Sequence, residues 1–548
     1  MTGQRYRCSD YIQTLKRKQS VTNGSLPSKT LVLFLALIMV SSFSVRTRGQ
    51  QPQAPPLLTF NELVALYEND TPAPDLANKL NRLLTTPFVS NSAGTRATRA
   101  VKTTSGSTGP YIRLATWNIE RGLEFEAVRA ALTGDHRFFR RLTPTLRASK
   151  FNLTAVNQQA TELSRADVIV LNEVDWGLKR TDYRNVAREL AAALQMNYAF
   201  GVEFVEVDPL TLGTETLEGE TSTDKPKMVQ TLAVDKGRTL GLHGTAILSR
   251  FPLRNVRIMR YVNQGHDWYE DEKKGVSKLE KGKQKGAGLV FSEKIMREVR
   301  RGGRMMLVAD ISNPLIPGDQ MTVVATHLEA KSKPVERAKQ LTELLDQIQS
   351  IQNPVIVAGD MNTSGTDATP TSFQREVKKR LGSSSFWTTQ GIKYATGVGL
   401  IYDVTLGLFK MQRVKNDPTV RSVKFVSENP EEKFFNMLKD FRFTDGGAFD
   451  FRGAKEYSTG ASGETLSDSN ERGGKGFVST LELKGKITVE LKLDWFFVKP
   501  IGLTDPDDRK QPYRFAPQFG KTLKTLNYSL KDRISDHNPM IVDLPITP

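Results

Sequence analysis

The chain has 548 residues, 38% of them hydrophobic and 25% charged, a balance that suits a globular protein and excludes a disordered one. Lysine and arginine number 77 against 60 acidic residues, for a net charge of +17. The first fifty residues hold eight basic residues and one acidic one, or +7, which leaves about +10 on the body of the chain. That excess favours polyanions such as nucleic acid or anionic lipid headgroups, and it also serves solubility. The single cysteine, Cys8, lies near the N-terminus, which excludes a disulfide scaffold and thiolate zinc sites in the body.

Residues 1–49 read as an address. Arg5, Arg7, Lys16, Arg17, Lys18 and Lys29 precede the apolar run LVLFLALIMVSSFSV at 31–45, the pattern of a secretory signal peptide. The run is short for a spanning helix, which needs roughly twenty residues. A cleaved signal is favoured; an uncleaved anchor that holds the protein on a membrane through 31–45, or a buried helix, are the alternatives. Export agrees with the lack of cysteine beyond Cys8. Asn362-Thr363-Ser364 is a glycosylation sequon, and a glycan there would block the chemistry read below. A secreted or cell-envelope location, bacterial in preference, is therefore expected.

Residues 50–110 form a linker with short helices. The stretch 50–58 is rich in Gln and Pro. Thr59-Phe60-Asn61-Glu62 fits a capping box, and a second short helix is predicted from Asp75 to Leu84. This segment is too small for a core of its own, so it packs on the main domain or acts as a spacer. The small, polar stretch 90–110 marks the boundary, and 111–548 is one domain.

From Tyr111 onward, short apolar runs of strand length recur: YIRLATW, DVIVLNE, TAILS, RMMLVAD, MTVVATH, PVIVAGD, KLDWFFV and PMIVDL. Helices are predicted between some of them, at Tyr183 to Gln195 and Val335 to Gln349. The fold class is α/β or α+β with several buried strands. Three stretches read as large loop insertions: 203–240, 262–304 and 410–490. The second holds His266-Asp267-Trp268-Tyr269, then eleven basic residues against three acidic ones from Lys273 to Arg304. Each is read as a substrate-binding loop or a solvated excursion. Trp268 and Tyr269 suit a packed loop or a membrane-touching tip.

The informative feature is where polar residues fall. The apolar runs lead into Asn118, Glu173, His327, Asp360 with Asn362, and Asp494, and the loop Arg533-Ile534-Ser535 leads into Asp536 and His537. Strand ends along one sheet edge converge, and open α/β sheets place ligands there. Glu173, Asp360, Asp494 and Asp536, with the neutral oxygens of Asn118 and Asn362, suit a hard cation such as Mg²⁺, Mn²⁺ or Ca²⁺. Five histidines, with no H-E-x-x-H spacing, argue against a zinc hydrolase. A cation to neutralise phosphate, a carboxylate to activate water and a charged histidine steadied by a carboxylate together read as phosphoester hydrolysis.

The ordered set TWNIERG (116–122), LNEVD (171–175), GTAILSRFPL (244–253), ATHLEA (325–330), VAGDMN (357–362), LDWFFV (493–498) and SDHNPM (535–540) resembles the endonuclease/exonuclease/phosphatase superfamily over about residues 111–546. The resemblance implies a four-layer α/β/β/α sandwich with two packed mixed sheets, and a Mg²⁺- or Mn²⁺-dependent phosphodiesterase. It implies metal ligation by Glu173, Asn118 and Asp536, and water activation by Asp360 with Asn362 beside it on the phosphate. It further implies an Asp494–His537 pair, His537 and His327 on the phosphate, and His243 facing substrate. Glu120, Arg121 and Asp175 fit a supporting or surface role as well as a chemical one, and Thr245 stands where Asn is common. The family leaves the substrate open. A nuclease is favoured by the basic charge, and a phospholipid diesterase of sphingomyelinase type is the alternative. An envelope binding protein with a dead site is the reading from another class. A monomer is expected.

Overall fold

The computed structural model describes residues 54–93, 102–103, 110–142, 152–209, 211–213, 233–274, 298–314, 316, 318–363, 432–450, 478–483, 486–491, 493–505, 511, 514–515, 517–530 and 533–546. The run 31–45 lies outside them, as do parts of the three stretches read as insertions.

The strands are β1 (Phe88–Ser90), β2 (Lys102–Thr103), β3 (Pro110–Arg121), β4 (Val168–Trp176), β5 (Asn197–Glu206), β6 (Leu242–Ser249), β7 (Leu253–Arg260), β8 (Arg300–Gly302), β9 (Met305–Ser312), β10 (Gln320–His327), β11 (Val355–Asp360), β12 (Val478–Leu483), β13 (Lys486–Leu491), β14 (Asp494–Lys499), β15 (Gln518–Thr522) and β16 (Met540–Pro545). The larger sheet runs β1-β5-β6-β4-β3-β16-β15, with β2 on β3 and β8 on β5. The smaller runs β14-β11-β10-β9-β7. β3 pairs parallel with β4, and β10 with β11; the other pairings are antiparallel, so both sheets are mixed. β12 and β13 form a separate hairpin.

Side chains alternate between the faces of a strand, and that alternation sorts the apolar residues into three cores. Ile112, Leu114, Val168, Val170, Ile247, Leu307, Ala309, Val323, Ala325, Ile356, Ala358, Phe496, Val498, Val542 and Leu544 pack between the two sheets. Their chain neighbours Ala115, Trp117, Ile169, Leu171, Ala246 and Leu248 turn outward from the larger sheet. There they meet Val128, Phe139, Val156, Leu163, Val186 and Leu190, on the helices Phe125–Thr133, His136–Leu142, Leu153–Ser164 and Val186–Leu194. Met306, Val308, Val324, Val355, Val357 and Phe497 turn outward from the smaller sheet and meet the helices Pro334–Ile348 and Glu432–Asp440. The result is the expected α/β/β/α order.

The helices start where local chemistry lets them. The Thr59 hydroxyl accepts from the Glu62 amide, and the Glu62 carboxylate accepts from the Thr59 amide, closing the predicted capping box before Phe60–Glu68. Pro74 and Pro334 open their helices, where a missing N–H costs nothing. In Pro334–Ile348 the buried Ala338, Leu341, Leu345 and Ile348 recur at helical spacing toward the sheet. Leu58, Phe60, Leu63, Leu66, Leu83 and Leu84 join the outer core of the larger sheet, and β1 lies antiparallel beside β5. Among the described residues, no helix is long and apolar enough to cross a membrane.

The three stretches read as insertions are corrected in part. Residues 203–206 complete β5, and 300–302 form β8 paired with it. Phe434, Phe435, Leu438, Phe443 and Phe449, inside 410–490, are buried against the smaller sheet. Trp268 and Tyr269 are 8% and 4% exposed, so they form a packed loop and not a membrane-touching tip.

Candidate active site

The inner faces of both sheets change character toward one end. Along β3, the inward series runs Ile112, Leu114, Thr116, Asn118; along β4 it runs Val168, Val170, Asn172. On β10 it is Val323, Ala325, His327; on β11, Ile356, Ala358, Asp360; and on β14, read backward, Val498, Phe496, Asp494. The apolar core and the polar site are thus two parts of one period-2 pattern. In the smaller sheet His327 is the register partner of Asp360, and Asp360 of Asp494, so three site residues form one transverse row.

Asp360 is the centre of this arrangement. Its Oδ2 lies 3.2 Å from Asn118 Nδ2, 3.5 Å from His327 Nε2 and 3.6 Å from His537 Nε2. Its Oδ1 accepts from the Asn362 amide at 2.8 Å, and its own amide donates to Asn172 Oδ1 at 2.9 Å. Gly359 makes this approach possible. A Cβ there would sit 2.0 Å from the Thr326 carbonyl oxygen, and its φ of +135° suits glycine. Burial pushes the Asp360 carboxyl up to about 7, with His537 opposing that shift and Asp494 adding to it.

His537 comes from the loop before β16 and reaches across to the smaller sheet. Its Nδ1 is 2.8 Å from Asp494 Oδ2, its amide donates to Ser535 Oγ, and Trp117 Nε1 holds its carbonyl. Burial alone would lower the ring's pKa; Asp494 and Asp360 outweigh it and hold the pKa well above the usual histidine value. His327 is the opposite case. Burial and the neighbouring Arg304 guanidinium, whose Nη1 is 2.8 Å from His327 Nδ1, hold it well below that value.

Asn118 and Glu173 approach from the larger sheet through irregular backbone. Register shifts interrupt β3 between Asn118 and Arg121 and β4 between Leu171 and Val174, and Glu120, Arg121 and Glu173 have φ of 47°, 68° and 52°. Asn118 Nδ2 donates to Glu173 Oε1 at 3.2 Å as well as to Asp360, while Asn118 Oδ1 accepts from the Glu120 amide. Burial would raise Glu173, but Arg121 and then His243 hold it low and ionised. The Asp536 amide donates to Glu120 Oε2, and its Oδ1 takes a long contact from Ser535 Oγ at 3.4 Å. Asn362, at φ 47°, donates through Nδ2 to the Leu328 carbonyl. His243 Nδ1 is 2.8 Å from Asp175 Oδ1. Burial would raise Asp175, but Arg180 and His243 hold it at about 2.

The donor set suits a hard cation only in an open form. Among the described residues, the one trio of close ligand groups is Asp360, Asp494 and His537. There, however, His537 Nδ1 is occupied by Asp494, which makes a hydrogen-bonded pair set against Asp360. Glu173 offers an ionised carboxylate that is not fully buried. Mg²⁺ keeps several waters and takes one or two carboxylates, so Glu173 with few further oxygens fits it. Asn118 turns its amide nitrogen to both carboxylates here and would present Oδ1 only after an amide flip.

Several site residues escaped the sequence reading. Arg304 touches His327 directly and is braced by Glu203 Oε2 at 2.7 Å and Glu329 Oε2 at 3.1 Å. Asn172 bridges β4 to the Asp360 amide and the Thr326 carbonyl. The inward alternation of β4 pointed to Asn172, and ATHLEA contained Glu329. Nothing local marked Arg304.

The family model of the Endonuclease/Exonuclease/phosphatase family matches residues 115–537. A search of curated proteins gave no match. Similar solved structures include an endonuclease/exonuclease/phosphatase from Beutenbergia cavernae, 15% identical, covering 79% of this chain and 71% of that one, with a TM-score of 0.32. The human Nocturnin catalytic domain with bound sulfate is 12% identical over 79% and 93%, with a TM-score of 0.33. A mannosyl-6-phosphatase from Bacteroides thetaiotaomicron is 10% identical over 79% and 99%, with a TM-score of 0.33. With the family model running through Asn118, Glu173, Asp360 and His537, the chain belongs to the Endonuclease/Exonuclease/phosphatase family of phosphoester hydrolases.

Proposed function

We propose that the protein is an exported, divalent-metal-dependent phosphodiesterase, with nucleic acid as the substrate to test first. One observation carries the reading: three nitrogen groups converge on a single buried carboxylate oxygen, Asp360 Oδ2, at the end of the inter-sheet core. A carboxyl pushed up to about 7 is matched to taking a proton from water near neutral pH. Asp360 therefore orients and deprotonates the attacking water. His537, kept charged by Asp494, donates from Nε2 to a non-bridging phosphate oxygen as negative charge builds there. Glu173, with Asn118 after its amide turns and Asp536 nearby in sequence to His537, would hold Mg²⁺ or Mn²⁺. The cation would supply charge neutralisation at the phosphate and leaving oxygen.

The nuclease preference rests on the net basic charge and gains nothing from the three arginines described at the end of the stretch after Lys273. Arg300 pairs with Glu206 and Glu298, Arg301 donates to the carbonyls of Leu66, Asn69 and Asp70, and Arg304 pairs with Glu203 and Glu329. These three arginines are committed to the fold and do not line a phosphate-backbone groove. The phospholipid alternative loses its residue support too, because Trp268 is buried and donates to Glu329. Export is supported by the basic segment before 31–45 and by the cysteine-free body. Asn362 and Thr363 of the sequon are 5% and 0% exposed, which suits a chain that is not glycosylated there.

The test is nicking of supercoiled plasmid with Mg²⁺ or Mn²⁺, beside Asp360→Ala prepared identically. Metal-dependent nicking by the parent alone is expected. A folded parent that nicks no plasmid and hydrolyses no synthetic phosphodiester would overturn the reading. Activity on a synthetic phosphodiester alone would move the substrate away from nucleic acid.

A further inference from the structure

Two histidines point Nε2 at the same oxygen of Asp360, from 3.5 Å and 3.6 Å, yet their Nδ1 atoms meet opposite partners. His537 Nδ1 faces the Asp494 carboxylate at 2.8 Å, an acceptor only. That contact requires a proton on Nδ1. His327 Nδ1 faces Arg304 Nη1 at 2.8 Å. A guanidinium carries donors and no acceptor and does not deprotonate in proteins. A proton on His327 Nδ1 would set N–H against N–H, so that atom must present its lone pair. The ring's one proton then sits on Nε2.

The guanidinium is built in and cannot swing away. Arg304 Nη1 also meets Glu203 Oε2 at 2.7 Å, and Nε meets Glu329 Oε2 at 3.1 Å. Thr245 Oγ1 and Trp268 Nε1 donate in turn to those two carboxylates. Arg304, Glu203, Glu329 and His327 are all nearly inaccessible, at 4%, 0%, 0% and 2% exposure. A buried cation in a fixed fork specifies orientation more strongly than an exposed one.

We propose that Arg304 is a positioning residue that locks His327 as a neutral ring with its proton on Nε2, a fixed hydrogen-bond donor to a phosphate oxygen. Of the two rings that face Asp360 Oδ2, His537 is then the charged one. The proposal rests on the phosphoesterase reading, and the division of labour follows from it. His327 contributes a dipole aimed at the phosphate and gives up no proton.

The experiment has two arms on the full chain. In the first, the protein is labelled with ¹⁵N-histidine at neutral pH. Only five histidines contribute, and the signal lost in His327→Gln assigns His327. A neutral ring protonated on Nε2 is expected; an imidazolium, or a proton on Nδ1, would overturn the proposal. Arg304→Gln offers His327 Nδ1 an amide that can accept as well as donate, and the fixed tautomer should give way to a mixture. An unchanged ring signal in a folded Arg304→Gln would reduce Arg304 to a packing role and sink the idea.

The second arm is turnover. Glutamine retains an N–H donor near the Nε2 position, so His327→Gln should lose less than about tenfold in kcat. His327→Ala should lose about 10² to 10³-fold, as when one oxyanion donor is removed. Equal losses in the two variants would show that the imidazole does something an amide cannot, against the proposal. If the parent itself turns over no phosphodiester, the functional reading fails while the ring spectrum still decides the tautomer.

Discussion

The two sheets deliver their halves of the site in different ways. The smaller sheet supplies His327, Asp360 and Asp494 as register partners on three adjacent strands. Neighbouring strands lie about 4.8 Å apart, so this regular row needs no special backbone beyond Gly359. The larger sheet supplies Asn118 and Glu173 through interrupted ladders, with Glu120, Arg121 and Glu173 in the left-handed region. Left-handed non-glycine residues cost of order 1–3 kcal/mol each and persist where surrounding structure over-determines them. The contrast separates two tasks. On the proposed function, proton handling falls to the regular row, completed by His537 from across the sandwich. The ionised Glu173 sits on backbone held away from its preferred conformation.

Breaking the row should have the largest effect. Asp360→Ala removes the proposed general base, and turnover should fall about 10² to 10⁴-fold. Melting should still show one folded species, because the variant removes a buried carboxyl held up at about 7. Parent-like turnover would mean that Asp360 is not the base. Chelation comes next. EDTA should abolish turnover, and Mg²⁺ or Mn²⁺ should restore it. A chelator-resistant rate would remove the cation from the site. Glu173→Gln sharpens the difference between the halves. Its deficit should shrink as Mg²⁺ is raised, whereas the Asp360→Ala deficit should not move. Identical metal titrations for both variants would erase the division of labour.

The legible part of this molecule was the part written in local alternation. Val355 to Asp360 and Gln320 to His327 carry an apolar inward series that ends on the functional residue, so each strand announced both its face and its site. The layer order was implied by the family resemblance, and its physical reason is that outward neighbours such as Val324 and Val357 are apolar too and lie under helices. What stayed hidden depends on distant partners. Glu203 and Arg304 are 101 residues apart and meet as a buried ion pair. Each alone looks like a surface charge, which is why the insertions read at 203–240 and 262–304 took in the end of β5 and the whole of β8. The phenylalanines of 434–449 were misread for a related reason. Their surroundings are charged and glycine-rich, and only the outer face of the smaller sheet explains their burial.

The smallest effect is also the most direct test of the contrast between the two halves. At Glu173, φ is 52°, where a Cβ crowds the following carbonyl at a cost of roughly 1–2 kcal/mol. Both Glu173→Gly and Glu173→Ala lose the carboxylate that accepts from Asn118, so their difference isolates the backbone. The glycine variant should be the more stable of the two by about 1 kcal/mol. Asp360 ends the regular strand β11 and has no left-handed φ. There the order should reverse, with Asp360→Gly less stable than Asp360→Ala by about 0.5–1 kcal/mol through the greater freedom of the unfolded glycine chain. Chemical denaturation of the four variants, compared at equal m-values, reads this crossover. The same order at both positions would mean that the larger sheet carries Glu173 without backbone strain, and the difference between the two halves would then lie in their side chains alone.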